Sequence, residues 1–375
     1  MKIFNLLVSN RRIIAINFII LLFFIVTPSI ALFTYRTAKN ITRRTRGLSV
    51  DPRSNFKGFE NKIISNQVFK EKDQLDIEFR SFLGWRPKNV QLKYTKINNP
   101  YNTRYSIGQS LSNSTWFFGG STIWGFGIPD HSTIPSLYSL KTKNLVFNFG
   151  EQGWVSRQSL NQLISALGDG HKPKSILFYG GANDITVGCR KYHKYVPTYS
   201  QQQKLEKLIE DKDKIINLKK ISKLLKEPYI LISKKLIKRN SPSTFYDCIN
   251  NKDKSIRIAK HLVNNWYIAF LISQSYDSQF YAVLQPYIDI DGLNFENPYL
   301  NSSIEELRTY NYVYPLIKEE VKKKCLIDPF FCLKFIDGSS WINPKKDVFF
   351  DTLHLTKQGN QLIVEELLKL DDGIK

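Results

Sequence analysis

The sequence predicts an α/β fold in which helices cover both faces of a parallel sheet. Four short apolar runs have the length and composition of buried strands, and they span residues 115–118, 145–149, 176–179 and 280–284. Sequence of helical character separates each run from the next, which is the alternation expected of a parallel, three-layer α/β fold. Glycines follow the first three runs, where the strands of such a sheet end and ligands bind.

Two of the predicted helices have clear sequence signals. One covers about residues 156–167, and the other covers about residues 356–370 and begins at a threonine that can cap it. We expect the second helix to pack on the sheet and to close the domain, because it has an apolar stripe at Leu362, Ile363 and Leu367. Residues 76–115 contain short aromatic and β-branched runs broken by proline and asparagine, which predicts an irregular lead-in to the domain.

Length and composition indicate a folded protein. The 375 residues are 42% hydrophobic and 13% aromatic, enough for one large core or two modest ones. The formal net charge of +21 favours anionic partners such as lipid headgroups, acidic polysaccharide or nucleic acid, although a solvated lysine-rich surface explains it equally well. Nucleic acid is the least supported partner, because zinc-type spacing and arginine-rich tracts interleaved with aromatic residues are absent from the sequence.

The four cysteines fit two disulfides in an oxidising compartment. Cys325 and Cys332 are close enough in sequence to close a small loop, which leaves Cys189 and Cys248 as the second pair. Four cysteines allow three connectivities, and free buried thiols are a further alternative.

The N-terminus predicts a segment that targets the chain to a membrane. Residues 13–35 are almost wholly apolar, follow two arginines and are long enough to cross a bilayer as a transmembrane helix. A cleaved signal peptide is the alternative, with residues 13–26 as its apolar core and residues 29–31 as its small-residue cleavage site. We favour a retained anchor, because the apolar run continues past Ala31.

The predicted domain organisation follows from this segment. Residues 1–35 form a cytoplasmic tip and the anchor, residues 36–75 a polar, basic tether, and residues 76–375 the folded domain. Basic residues flank the apolar segment on both sides, so charge alone does not decide the topology. The even cysteine count and the signal-like start favour a membrane-anchored protein whose domain lies outside the cytoplasm.

A lysine-rich segment interrupts the folded domain at about residues 201–239. Its leucines and isoleucines fall near helical spacing, which predicts one or two basic amphipathic helices. Such helices could be an ordinary surface insertion, or a lid or membrane-facing surface near the functional site.

The candidate nucleophile is Ser121, which follows an apolar strand and two glycines. A Gly-Gly-Ser sequence alone more often marks a tight turn with a helix cap. A serine nucleophile also needs a base, a carboxylate that orients the base, and donors for the oxyanion. Among the five histidines His354 stands out, because it follows Asp351 by three residues on a short predicted loop before the last helix.

Two further strand ends offer oxyanion donors. The strand at 145–149 ends in a glycine turn that leaves the backbone N–H of Gly153 able to point into a site, and the strand at 176–179 is followed by the side-chain amide of Asn183. Each turn alone is common. Together the four loops carry Ser, Gly, Asn and Asp/His in that order.

This ordered set resembles the SGNH/GDSL hydrolase family, whose four blocks contribute a serine, a glycine, an asparagine and a histidine. The matching blocks are Gly119-Gly120-Ser121-Thr122, Asn148-x-Gly150-x-x-Gly153, Gly181-x-Asn183-Asp184 and Asp351-x-x-His354. The resemblance extends from about residue 115 to 370. The chain departs from it at Gly120, where the GDSL form of the first block has aspartate, and in the lysine-rich segment, which leaves the substrate class open.

The resemblance implies a flavodoxin-like three-layer α/β/α sandwich and an ester hydrolase that needs neither a metal nor an organic cofactor. It also implies that Ser121 attacks the ester carbonyl, that His354 accepts the proton of the serine and that Asp351 holds the imidazole. The backbone amides of Ser121 and Gly153, with the Asn183 side chain, would hold the oxyanion.

On this basis we expect a membrane-tethered serine esterase that cleaves an acyl ester, such as an O-acetyl group on a glycan or a lipid ester. An O-acyltransferase of the cell envelope that uses the same triad is one alternative. A non-catalytic glycan-binding scaffold is the other.

Overall fold

Five parallel strands form the central sheet, in the order β2-β1-β3-β4-β5. They are β1 (Thr115–Gly119), β2 (Val146–Asn148), β3 (Ser175–Gly180), β4 (Gln279–Leu284) and β5 (Phe335–Asp337). The first four strands are buried along nearly their whole length, as expected of a parallel sheet covered on both faces. The predicted parallel α/β sheet is therefore confirmed, and β5 is a strand that sequence analysis missed.

The computed structural model describes residues 51–193, 196–199, 202, 245–288, 304–342 and 347–372, together with positions 15–20, 23, 26–28, 30–35, 37 and 38. The chain divides into two compact units. One comprises Asp51–Glu206 and Thr244–Lys375 and contains the sheet, and the other comprises Met1–Val50 and Lys207–Ser243. The predicted amphipathic helices at 201–239 lie outside the described residues, apart from position 202.

Helices connect the strands and cover the sheet. Within the described residues they are α1 (Lys62–Lys72) before the sheet, α2 (Ser121–Trp124) and α3 (Ile134–Thr142) after β1, α4 (Ser156–Gly168) after β2, α5 (Ala182–Gly188) and α6 (Lys252–Ser275) after β3, α7 (Ile304–Ile327) and α8 (Pro329–Cys332) after β4, and α9 (Lys357–Asp372) after β5. Right-handed crossovers on a sheet of this order place α3 on one face and α4, α6 and α7 on the other, and α9, which follows the last strand, packs on the face of α3. The contacts agree, because α3 packs on α9 while α6 packs on both α4 and α7. This strand order is that of flavodoxin-like sheets.

Aromatic side chains fill the core beneath the predicted site. The Phe118 ring stacks on Phe149 and Phe178, with centroids 4.9 and 5.0 Å away. Such stacking adds to the stability gained from burying these large apolar rings. It ties β1 to the residue after β2 and to β3, the three strands whose ends carry Ser121, Gly153 and Asn183.

The structure places residues 51–75 in the folded unit with the sheet, not in the tether predicted over residues 36–75. This part forms a 3₁₀ helix at Pro52–Asn55 and the helix α1. Its apolar side chains join a second core, which consists of Phe69, Trp124, Phe126 and Phe350 with Phe56, Phe59 and Leu75 packed against them. The basic composition of the segment predicted a tether, whereas its aromatic residues pack against partners that are far away in the sequence.

The lead-in predicted over residues 76–115 contains more regular structure than expected. One antiparallel hairpin pairs Ile77–Arg80 with Gly84–Pro87, and a second pairs Val90–Gln91 with Lys96–Ile97. These strands are short and carry charged residues, so they lack the apolar runs that identify the strands of the sheet.

The apolar segment predicted at residues 13–35 lies only partly within the described residues, which are helical at positions 15–20, 23, 26–28 and 30–35. No helix among the described residues is both long enough and apolar enough to span a membrane.

Both expected disulfides form, one between Cys189 and Cys248 and the other between Cys325 and Cys332. The first is buried and joins the end of α5 to the 3₁₀ helix that precedes α6. This disulfide closes a loop between two residues 59 positions apart, and the lysine-rich segment lies within that loop. The second disulfide closes the turn between α7 and α8.

Candidate active site

Ser121, His354 and Asp351 form one hydrogen-bonded chain. The Oγ of Ser121 lies 2.6 Å from Nε2 of His354, a residue 233 positions later. The Nδ1 of His354 lies 2.8 and 2.7 Å from the two carboxylate oxygens of Asp351. The hydroxyl can donate to Nε2 while Nδ1–H donates to the carboxylate, which is the relation between a nucleophile, a base and an orienting acid.

The glycines before Ser121 are required by close packing. Ser121 is the first residue of α2, directly after β1 and Gly120. A Cβ atom on Gly119 would lie 2.3 Å from the backbone oxygen of Tyr179, and one on Gly120 would lie 2.2 Å from Nδ2 of Asn183. Glycine at both positions therefore lets the segment that carries Ser121 pack closely against the end of β3 and the Asn183 side chain.

The Asp351 carboxylate is fixed by several donors besides the imidazole. Its Oδ1 accepts the backbone N–H groups of Leu353 and His354, at 3.0 and 2.9 Å, and its Oδ2 lies 2.6 Å from Nη1 of Arg53. Burial alone would raise the pKa of Asp351. The charge and hydrogen bond of His354, with help from Arg53, outweigh burial and hold the pKa of Asp351 well below its usual range.

Two phenylalanine rings confine the imidazole. The Phe126 ring centroid lies 4.7 Å from that of His354, and the Phe350 ring is nearly parallel to the imidazole at 5.7 Å. The backbone N–H of Phe350 also donates to the carbonyl of His354, which closes the turn that carries the acid and the base. These contacts restrict the orientation of the imidazole before any ligand binds.

The predicted oxyanion donors lie on the two neighbouring loops. Asn183, in the first turn of α5, uses Nδ2 to donate to the carbonyl of Trp154 at 2.9 Å, and the second hydrogen of that amide remains for another acceptor. Gly153 has a φ of 72°, which favours glycine, and within the described part of the chain its N–H has no protein acceptor. The structure thus brings Asn183 beside Gly120. The loop that carries Gly153 is held to β1 by a hydrogen bond of 3.1 Å from the backbone N–H of Glu151 to the carbonyl of Gly119.

The third predicted donor is the backbone N–H of Ser121 itself. It begins the short helix α2, where the first N–H groups of a helix have no intrahelical acceptor. All residues predicted for the site therefore lie at the carboxyl ends of the strands, in a loop or in the first turn of a helix, or directly before α9.

The family model of the GDSL-like lipase/acylhydrolases matches residues 112–367. The chain belongs to this family. Family membership makes the chain an ester hydrolase, as the resemblance of its four sequence blocks predicted. Residues 51–111, which precede the matched region, form an N-terminal extension.

Solved structures of related proteins resemble the GDSL-like hydrolase only distantly. A lipolytic protein of the G-D-S-L family from Veillonella parvula is 12% identical, with a TM-score of 0.39 over 69% of this chain and 97% of its own. The acetylxylan esterase Axe2 from Geobacillus stearothermophilus is 13% identical, with a TM-score of 0.37 over 69% of this chain and 95% of its own. No curated protein matches the sequence.

Two buried carboxylates behind the loops of the GDSL-like hydrolase had no predicted role. Asp184 accepts the N–H and the hydroxyl of Ser156, at 3.1 and 2.6 Å, and burial raises its pKa to about 6. Glu151 lies 3.5 Å from Arg86. Burial raises the pKa of Glu151 to about 7 and lowers the pKa of Arg86 to about 10. The attraction between the two charges acts against both shifts but is outweighed by burial. Asp184 follows Asn183 in its sequence block, which is the one signal that sequence analysis could have used.

Among the described residues of the hydrolase, no group of three or more His, Cys, Asp or Glu side chains could hold a metal ion. A small cavity lies beside the predicted oxyanion donors. Its volume is about 10 Å³, and its lining includes Gly120, Trp154 and Asn183. A space of this size holds about one water molecule.

Proposed function

We propose that the chain is a serine esterase that removes a short acyl group, with O-acetyl groups on a glycan as its substrate class. The hydrogen-bonded chain Ser121–His354–Asp351 carries this proposal. Because the serine and the imidazole are already within hydrogen-bonding distance, the base needs no rearrangement to accept the serine proton.

In the proposed mechanism, Oγ of Ser121 attacks the ester carbonyl while Nε2 of His354 takes its proton. The negative charge on the carbonyl oxygen is stabilised by the N–H groups of Ser121 and Gly153 and by the Asn183 amide. His354 then gives the proton to the departing alcohol, which leaves an acyl group on Ser121. Water, deprotonated by the same imidazole, releases the acid and restores the serine.

The small cavity beside Gly120 and Asn183 supports a short acyl group over a lipid ester. Its volume of about 10 Å³ is far smaller than a long acyl chain needs, whereas a second cavity, of about 170 Å³, is lined by residues such as Gly127, His131 and Thr356 and not by Gly120 or Asn183. The formal net charge of +21 is compatible with an acidic glycan that carries the acetyl group.

The proposed location is the outer side of a membrane, with residues 13–35 as the anchor. Two observations support it. The apolar segment is long enough to span a bilayer, and the two disulfides are typical of an oxidising compartment.

A fluorophosphonate probe tests the nucleophile. We expect the wild-type protein to be labelled and Ser121→Ala not to be, because the probe needs an activated serine. Labelling of the variant at the wild-type level would exclude Ser121 as the nucleophile.

An ester series tests the substrate class. We expect hydrolysis of acetyl esters and of O-acetylated glycans to exceed that of long-chain esters, with Ser121→Ala as the blank. Preference for long chains would favour the lipid ester. Transfer of the acyl group to an added glycan in competition with water would identify an acyltransferase.

A further inference from the structure

Three arginines of the N-terminal extension each contact a different loop of the active site. Arg53, Arg86 and Arg104 each lie over an aromatic ring and each pair with a carboxylate of the matched family region. We propose that the extension is part of the catalytic apparatus and that these arginines are positioning residues, with Arg53 acting on the base through Asp351. This inference rests on the proposed serine esterase mechanism.

Arg53 contacts the acid of the triad and one of the rings beside the base. Its Nη1 lies 2.6 Å from Oδ2 of Asp351, the oxygen that also accepts from Nδ1 of His354. Its guanidinium lies 4.6 Å from the centroid of Phe126, and that ring packs on the imidazole. The guanidinium therefore limits rotation of the carboxylate and supports the ring that confines His354.

Asp51 holds the Arg53 guanidinium in this orientation. Nε and Nη2 of Arg53 pair with the two oxygens of Asp51 at 3.1 and 2.7 Å, which leaves Nη1 directed at Asp351. The planar guanidinium is suited to this role, because its donors point in fixed directions and it packs flat on an aromatic ring. A lysine keeps the charge but can make only part of this arrangement.

Arg86 holds the loop that carries Gly153. Its side chain is fully buried, lies 4.2 Å over the Trp154 ring and pairs with Glu151 at 3.5 Å. Glu151 and Trp154 flank Gly153 in the sequence, and the Trp154 carbonyl accepts the Asn183 amide. One arginine thus fixes the loop on both sides of the predicted N–H donor.

Arg104 holds the loop after the nucleophile. Its side chain is fully buried, pairs with Asp130 at 2.7 Å and lies 4.4 Å over the Trp124 ring at the end of α2. It also donates to the carbonyls of Gly125 and Ile128. The helix that begins at Ser121 is thereby held at its other end.

Arg53 gives the sharpest test, because a quarter of its side chain is exposed and its replacement leaves no empty space in the sheet core. We expect Arg53→Met in the full chain to lower kcat roughly ten- to a hundredfold, with KM changed less than about threefold, because misplacement of a catalytic group costs rate and not binding. The rate of fluorophosphonate labelling at Ser121 should fall in parallel. Arg53→Lys, which keeps the charge, should recover part of the lost kcat.

The matched control is Arg80→Met, since Arg80 is also partly exposed and paired with a carboxylate, Glu78, but lies on the first hairpin. An Arg53→Met variant with wild-type kcat would overturn the inference, as would an equal loss in Arg80→Met or no recovery with lysine.

If Arg53→Met does not fold, Asp51→Asn is the second variant. It removes the carboxylate that orients the Arg53 guanidinium and keeps the pair between Arg53 and Asp351, so it should lower kcat without changing KM. Wild-type kcat in that variant would overturn the inference as well. Failure of the wild-type protein to react with the probe would instead refute the proposed esterase.

Discussion

The glycine before the nucleophile illustrates how little space this site leaves. Gly120 has an ordinary negative φ of −86°, so its backbone conformation does not require glycine. The neighbouring side chain requires it, since a Cβ atom would lie 2.2 Å from Nδ2 of Asn183. An aspartate, as in the GDSL form of this block, would not fit here unless Asn183 moved.

We predict that Gly120→Ala lowers kcat on the order of a hundredfold, because a displaced Asn183 amide can no longer hold the oxyanion. KM and the thermal midpoint should change little. Steady-state kinetics on an acetyl ester measure the effect, and Gly168→Ala, where a Cβ atom has no neighbour within 4 Å, is the matched control. A kcat near that of wild type in Gly120→Ala would argue against Asn183 as a donor.

At the scale of single residues, the sequence predicted which side chains meet but not what surrounds them. Ser121, Gly153 and Asn183 could be placed because each follows an apolar strand of a parallel sheet, whose strands end at one edge. Arg53 could not be placed, because 298 positions separate it from Asp351 and no local pattern links the two.

Among the elements, the strands with continuous apolar runs were predicted and the others were missed. β5 has only three residues, is partly exposed and lies at the edge of the sheet. Helix α1 was missed for a different reason, because its apolar residues are few and its neighbours basic. Its stability comes from contacts with Phe126 and Phe350 that the sequence of the helix does not show.

The two disulfides connect elements over very different chain lengths. Cys189 and Cys248 are 59 positions apart, whereas Cys325 and Cys332 are 7 apart. In the chain-entropy model the longer loop gives the greater stabilisation, because it restricts more of the unfolded chain.

We predict that replacing Cys189 and Cys248 with alanine lowers the free energy of unfolding by roughly 4 kcal/mol. The Cys325→Ala, Cys332→Ala double variant should lose less. Urea unfolding of both variants and the wild type makes the comparison. A larger loss from the shorter loop would contradict the chain-entropy account.

For the whole molecule, the buried carboxylates make stability depend on pH in two opposite ways. The pKa of Asp351 is lower in the folded protein than in the unfolded chain. Asp351 therefore stabilises the fold above its unfolded pKa, and this stabilisation is lost as the pH falls toward its folded pKa. The pKa of Asp184 is raised from 3.8 to about 6, so its contribution is present below pH 3.8 and is lost as pH rises through about 6.

We predict that Asp184→Asn removes the second dependence, because asparagine keeps the shape of the side chain without titrating. The stability of the wild-type protein relative to this variant should fall between pH 4 and pH 7 by up to about 3 kcal/mol. Denaturant unfolding at both pH values measures it. A difference between the two proteins that does not change with pH would show that Asp184 does not titrate in this range.

The buried disulfide between Cys189 and Cys248 has an evolutionary consequence. Its Cα atoms are 5.1 Å apart, and beside it the backbone of Arg190 pairs with that of Tyr246. Because the disulfide holds residues 189 and 248 together, a change of length in the lysine-rich segment between them need not shift a strand of the sheet. That segment can thus diverge between relatives while the serine, the histidine and the aspartate stay where they are.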